Sequence, residues 1–533
     1  MTSLRFREDG SFRVLQMADV QDGPDVLPDT IRLIREAIRK ADPDLVVFTG
    51  DQIRGYDPAY IDTFLRRRGE EPGARVRAVT EVEAKIRGIK RHPVIRKMSD
   101  RVADRLTEAG KPVPAALLDP DAVTNAVASA AADSTDVIAA AEVGDFGKTD
   151  ETGTASLAPE TVSALVYSTQ SDGRPKPHEA PATIDELMDE TREKVRRTFS
   201  GFLGPVIEAD VPFAATYGNH DFQCGILADE QDDIYREYPG CMNPADSLEP
   251  GTFALPVEAS DGSGRVAMSV MMVNSGDYAG KPEENDAQYP AYVVNSRGLD
   301  LADSDGYGTP SPEAIDWLKT VQDELGERNG DGKPVPAIAF QHIPPQEFYD
   351  CLKEVPAWTP NAVEGARTYA GHCYVLDHKV CRPGSRLGEA IGCADENVGE
   401  VDALREAGGY FALFCGHDHK NAFVGHVHDL DLGYAPTCGF ECYGPKSRYR
   451  GIRLFEFHEN NPAGYVTRML TWGDLVGRYS SNELRVWFED HCVTGAISAR
   501  NELRRPQVFA VLAGAMSLGF MAIVRSLIKG ARK

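Results

Sequence analysis

Apolar residues recur along this chain in short blocks, each closed by a glycine or a polar turn. Residues 12–18 alternate as a strand, and Asp19-Val20-Gln21-Asp22-Gly23 follows as a loop. Pro28-Asp29-Thr30 starts a helix whose apolar face carries Ile31, Leu33, Ile34, Ala37 and Ile38. Asp42-Pro43-Asp44 stops it, and Leu45-Val46-Val47-Phe48-Thr49 is a continuous apolar strand ending in Gly50-Asp51. This strand–helix–strand unit predicts an α/β fold, in which function gathers at the carboxyl ends of the strands.

The pattern then breaks. Residues 75–109 are charged and helix-prone, and residues 114–183 are rich in Ala, Asp, Ser and Thr with little periodicity. The expected organisation is a core of residues 1–53 and 198–490, interrupted by an insertion over 54–197 and followed by a tail over 491–533. The insertion reads as a helical cap followed by an acidic flexible segment.

The core pattern resumes at residues 211–217, an apolar strand closed by Gly218-Asn219-His220-Asp221. Residues 266–274 predict another strand, and Ser311-Pro312 opens a helix lined by Ile315, Leu318, Val321 and Leu325. Strand 337–340 leads to Gln341-His342, a helix is expected near 401–406, and strand 411–414 leads to Gly416-His417-Asp418-His419. Residues 451–457 and 465–470 predict a closing hairpin.

Five segments thus share one design: an apolar strand, then a turn bearing Asp19, Asp51, Asn219-His220-Asp221, His342, or His417 and His419. Each alone has an ordinary structural explanation. Together they place carboxylates, an amide and imidazoles at strand ends, where they could converge on a metal. In this order the blocks resemble the calcineurin-like metallophosphoesterase superfamily. The segments around Phe340-Gln341-His342-Ile343-Pro344 and Gly444-Pro445-Lys446 are similar to its purple-acid-phosphatase-like intracellular members from fungi and plants. The resemblance covers residues 12–457, the insertion apart.

It implies a four-layer α/β/β/α sandwich with two divalent or trivalent metal ions (Mn, Fe or Zn). Asp51 would bridge both ions. Asp19 and His419 would complete one shell, and Asn219, His342 and His417 the other. The implied activity is phosphoester hydrolysis, most simply of a phosphomonoester, by a bridging hydroxide. His220 would serve the leaving oxygen, with Asp221 orienting it. The same metals would suit a phosphodiester.

Gln21 departs from the pattern, because the family has histidine there. An amide is a weaker ligand, so a metal-binding scaffold or regulator with weak catalysis stands as the alternative. A purple-acid-phosphatase tyrosine is also missing; Arg54 holds that position.

Composition narrows the partners. The 533 residues carry 82 acidic against 57 basic side chains, a net charge of −25 that repels nucleic acid. The expected substrate is a phosphorylated small molecule or a phosphoprotein. Lys446, Arg448, Arg450 and Arg453 read as a solvated edge-strand face, or else as a guide for such an anion. Ten cysteines without a CxxC pair, and an amino terminus without an apolar signal, predict free thiols in the cytoplasm. Cys438 and Cys442 are expected as small buried hydrophobes. Finally, an uncharged run opens at Val508 and closes at Val524, between basic flanks. It predicts a tail anchor on the inner face of a membrane, the other reading being a helix folded onto the core.

Overall fold

The computed structural model describes residues 3–55, 57, 59–60, 184–279, 306–477, 479–491, 496–511 and 513–514. The helix-prone stretch 75–109 and the acidic stretch 114–183 of the expected 54–197 insertion lie outside the described residues. So do residues 515–524 of the expected anchor. Among the described residues no helix is long and apolar enough to cross a membrane, so they give the tail anchor no support.

Two sheets form the centre. The first runs in the order β17 (Val466–Thr471), β16 (Gly451–His458), β2 (Ser11–Met17), β3 (Leu45–Thr49) and β4 (Phe213–Thr216). Strands β2, β3 and β4 are parallel, so their carboxyl ends share one edge. The second begins with β1 (Leu4–Arg5), β5 (Phe253–Glu258), β6 (Val266–Met272) and β9 (Ala337–Gln341). It continues through β13 (Tyr410–Cys415), β15 (Leu430–Tyr434) and β14 (Val424–Val427). Here β6, β9, β13 and β15 are parallel.

Strand β3 reads as an unbroken apolar run because it is covered on both faces. Val14, Leu45 and Val47 from one sheet meet Val270, Ile338, Phe340 and Phe414 from the other. Outside the first sheet, α1 (Pro28–Ala41) and α2 (Ile184–Glu208) bury Leu33, Ile34, Phe199 and Phe202. Outside the second, α4 (Pro312–Asn329) and α5 (Glu400–Ala407) bury Leu318, Val321 and Leu404; the short α3 (Ala228–Arg236) lies on the first side. The result is the expected four-layer α/β/β/α sandwich. The expected core boundary at 197 falls inside α2, which begins at Ile184.

Polar side chains tie the sheets together near their shared carboxyl-end edge. Gln16 Nε2 donates to Thr49 Oγ1 (3.2 Å) and across to the Cys415 carbonyl (3.1 Å). Thr216 Oγ1 donates to the Val273 carbonyl at 2.9 Å. Beside the second sheet, β10 (Leu352–Val355), β12 (Cys373–Leu376) and β11 (Val363–Glu364) form a small sheet. Helix α6 (Trp472–Leu475) and α7 (Glu483–Asp490) follow the hairpin, and α8 (Ala496–Arg504) returns to β11. There Arg500 Nη2 and Arg504 Nη2 reach Glu364 at 2.6 and 3.3 Å.

One buried acid is a liability of this packing. The Glu400 carboxyl accepts from Gln341 Nε2 at 3.1 Å, while its second oxygen has no partner. Burial, aided by nearby Glu347, pushes it up to about 8. The folded chain therefore retains a proton that the unfolded chain loses above about 4.5, so stability falls as pH rises through that interval. Glu400→Gln is expected to raise unfolding free energy by more than about 1 kcal/mol near pH 9 and to leave it unchanged near pH 4, read by thermal melts.

Candidate metal centre

At the sheets' common edge the five strand ends meet. β2, β3 and β4 deliver Asp19, Asp51 and Asn219; β9 delivers His342, and β13 delivers His417 and His419. All six expected ligands are buried, none more than 7% exposed. Donor atoms of Asp51, His342 and His417 lie within 4.8 Å of one another, and so do those of Asp19, Asp51 and His419. Asp51 belongs to both groups. The backbone pays for this convergence locally: Asp19, Gln21, Asp51 and His417 all have positive φ, between 38° and 75°. Gly50 (φ +88°) is required as well, since a Cβ there would lie 2.5 Å from His342 Nδ1.

Hydrogen bonding tests whether these residues fit a cation. His342 Nδ1 sits 2.9 Å from the Thr49 carbonyl, which can only accept, so in the neutral ring the lone pair is on Nε2. That atom faces Asp51 Oδ2 (3.1 Å), Asn219 Oδ1 (3.2 Å) and His417 Nδ1 (3.2 Å). Acceptors converging on one point need a positive charge between them. Likewise His419 Nδ1 meets the Tyr443 carbonyl at 2.7 Å and turns Nε2 to Asp19 Oδ1, 3.3 Å away. Carbonyls that fix the ring's outer nitrogen are the usual support of metal-ligating imidazoles. The donor set fits a metal cation. Burial disfavours charge on His342, while Asp51, Asp19 and the Thr49 carbonyl together favour it and raise the ring to about 9.

No family model matches the chain. Curated relatives do. The Arabidopsis thaliana protein named probable inactive purple acid phosphatase 29 is 23% identical over 323 residues, 57% of this chain and 72% of its own length. Probable inactive purple acid phosphatase 14, also from Arabidopsis thaliana, is 22% identical over 53% of this chain and 64% of its own. The chain is thus similar to purple-acid-phosphatase-like proteins, which supports its resemblance to the calcineurin-like metallophosphoesterases. A solved dimetal phosphatase from Danio rerio aligns over 86% of this chain and 99% of its own, at 12% identity and a TM-score of 0.35.

Within this candidate centre, Gln21 stands inside the site. Its Nε2 donates to Asp51 Oδ2 at 2.8 Å, so the amide engages the shared carboxylate. Arg54 is turned elsewhere, buried against Glu441 (3.2 Å) and Asp57 (3.4 Å). Asp221 does not serve His220 as expected. It accepts from the main-chain N–H groups of Asp51, Ile53 and Gly218 at 2.8, 2.9 and 2.8 Å, and so braces the loops that carry the ligands. The residue holding His220 is Gln223, whose Oε1 lies 2.8 Å from Nδ1. Sequence reading missed it; the signal was its place three residues on, in the tight turn Asp221–Cys224.

A cavity of about 880 Å³ opens from Asp51, His220 and His417. Its walls include residues missed from the sequence. Tyr278 OH accepts from Asn219 Nδ2 at 2.8 Å, and Tyr307 packs edge-on against His417, ring centroids 4.4 Å apart. The basic cluster after the histidines is only partly there. β16 lies between β17 and β2 and is no edge strand, and Arg450, just before it, and Arg453 within it are buried. Arg453 Nε donates to the Tyr434 carbonyl (2.8 Å), and Arg450 Nη2 to that of Cys442 (3.0 Å). Lys446 does line the cavity. Cys438 and Cys442 are buried as expected; the nine described cysteines are free, and the Cys442 sulfur lies beside His419.

Proposed function

We propose that this chain hydrolyses phosphomonoesters at a centre of two metal ions that share Asp51. The supporting observation is that sharing: one carboxylate belongs to two overlapping ligand groups. Asp19 and His419 would complete one shell; Asn219, His342 and His417 would complete the other. When bound, the ions supply a water of lowered pKa and positive charge against the phosphate oxygens. The chain's own residues do the rest. Gln223 Oε1 accepts from His220 Nδ1–H, which aims Nε2 at the cavity; as imidazolium the ring would give its Nε2 proton to the leaving oxygen and end neutral, with the proton kept on Nδ1. Asp221 fixes the Asp51 and Gly218 main chain, keeping bridge and turn in register.

A second reading is a metal-binding scaffold or regulator with weak catalysis. Gln21 favours it by engaging Asp51, as do relatives whose names call them inactive phosphatases. Metal analysis combined with turnover of p-nitrophenyl phosphate and its bis-ester, under Mn, Fe and Zn in turn, separates the readings. Two tight ions and faster monoester turnover are expected. A faster bis-ester makes it a diesterase, and no turnover with any metal leaves the scaffold.

A further inference from the structure

We propose that the cavity contains a second anion-binding subsite, formed by Arg386, Lys420 and Lys446, so that the substrate is a small phosphoester carrying a further anionic group. This rests on the phosphoesterase reading for the first anion only. In a chain of net charge −25, these three cations line the cavity that opens from the candidate metal centre, and Arg386 and Lys420 share the neighbourhood of Asp490. Among the described residues, none of the three pairs with a carboxylate within 4.0 Å. Arg505, on the same cavity, is ordinary by contrast: it pairs with Asp490 at 3.2 Å and Glu502 at 3.0 Å.

The contacts of the three leave charge in hand. Arg386 lies over the Tyr449 ring, 4.3 Å from its centroid, and Nη2 donates to the Tyr449 carbonyl at 3.3 Å. Its Nε is buried without a hydrogen-bond partner. Burial pushes the guanidinium down to about 10, the mark of a desolvated cation. Lys420 is buried, donates to the Asp490 main-chain carbonyl at 3.1 Å and lies 5.8 Å from the Tyr443 ring centroid. Lys446 is half-buried. Glu389 also lines the cavity and accepts from the Lys420 main-chain N–H at 2.8 Å; burial raises its carboxyl, against the pull of the Lys420 charge.

Cations held out of water without a paired anion are costly, and a bound anion offsets that cost. The subsite starts at the metal centre, because Lys420 follows His419 and Tyr443 stacks on the His419 ring at 4.1 Å. α8 and β12 line other parts of the cavity, whose volume suits a small molecule.

The test uses the full chain loaded with Mn and two probes, glucose 6-phosphate and glucose 1,6-bisphosphate, with phosphate release as the readout. The bisphosphate is expected to have a KM lower by about tenfold or more, the worth of one charge-assisted contact. Arg386→Gln with Lys446→Gln should erase most of that difference. Lys446→Gln alone, at a half-buried position, should erase part of it and guards against misfolding of the Arg386 variant. Equal KM values in the wild type, equal losses on both probes, or hydrolysis confined to phosphoproteins would overturn the proposal. If neither probe is turned over, p-nitrophenyl phosphate turnover decides the phosphoesterase reading, and pyrophosphate binding decides the subsite. A rise in melting temperature that the double variant loses supports it; a rise that the double variant keeps, or no rise, overturns it.

Discussion

Asp51→Asn is expected to slow phosphate release by about 10³-fold or more and to lower the number of ions bound per chain. Two negatively charged oxygens now face both ligand groups, with Oδ1 also accepting from the His220 main-chain N–H at 2.8 Å. Asparagine keeps an acceptor for that N–H but removes the charge and leaves a single oxygen to offer a cation. Loss of one ion forfeits several kcal/mol of charge stabilisation in the reaction, at about 1.4 kcal/mol for each factor of ten. Metal content by atomic emission and phosphate release, measured on one preparation whose circular dichroism matches the wild type, check it. Unchanged ion content with unchanged rate would mean that Asp51 is not shared.

His220→Ala should behave differently. Its ring touches Gln223 and the cavity and belongs to neither ligand group, so ion content should hold. Loss of a proton donor typically costs about 10²- to 10⁴-fold in rate. The signature lies in the leaving group. An alkyl phosphate releases a strongly basic oxygen and needs the proton; p-nitrophenolate needs it far less. The substitution should therefore harm alkyl phosphates much more. Equal losses on both would remove His220 from the proton transfer while leaving it a binding contact.

Much of this was legible because the relevant strands are covered on both faces. β3, β4, β9 and β13 announce themselves as apolar runs, and the ligands follow directly at their ends. Parallel strands put those ends on one edge, so the order of blocks already carried the convergence. What escaped depends on side-chain direction or on long-range return. Asp221 and Gln223 are two residues apart, yet one braces main chain and the other holds the His220 ring; spacing alone does not say which. Arg453 reads as surface until its side chain is seen to reach the second sheet, at the Tyr434 carbonyl and beside the Phe414 ring. α8 reaches the cavity through Glu364, 136 residues from Arg500, and no local pattern links them.

The six candidate ligands divide evenly between the sheets: Asp19, Asp51 and Asn219 come from the first, His342, His417 and His419 from the second. Any ion held there acts as a rivet through the sandwich, because separating the sheets would strip its coordination shell. Unfolding and metal release then become one linked equilibrium. Each tenfold rise in free metal above its dissociation constant would add about 1.4 kcal/mol to the folded state for each ion so held. The resistance of this fold to denaturation would then be set in part by the metal supply around it.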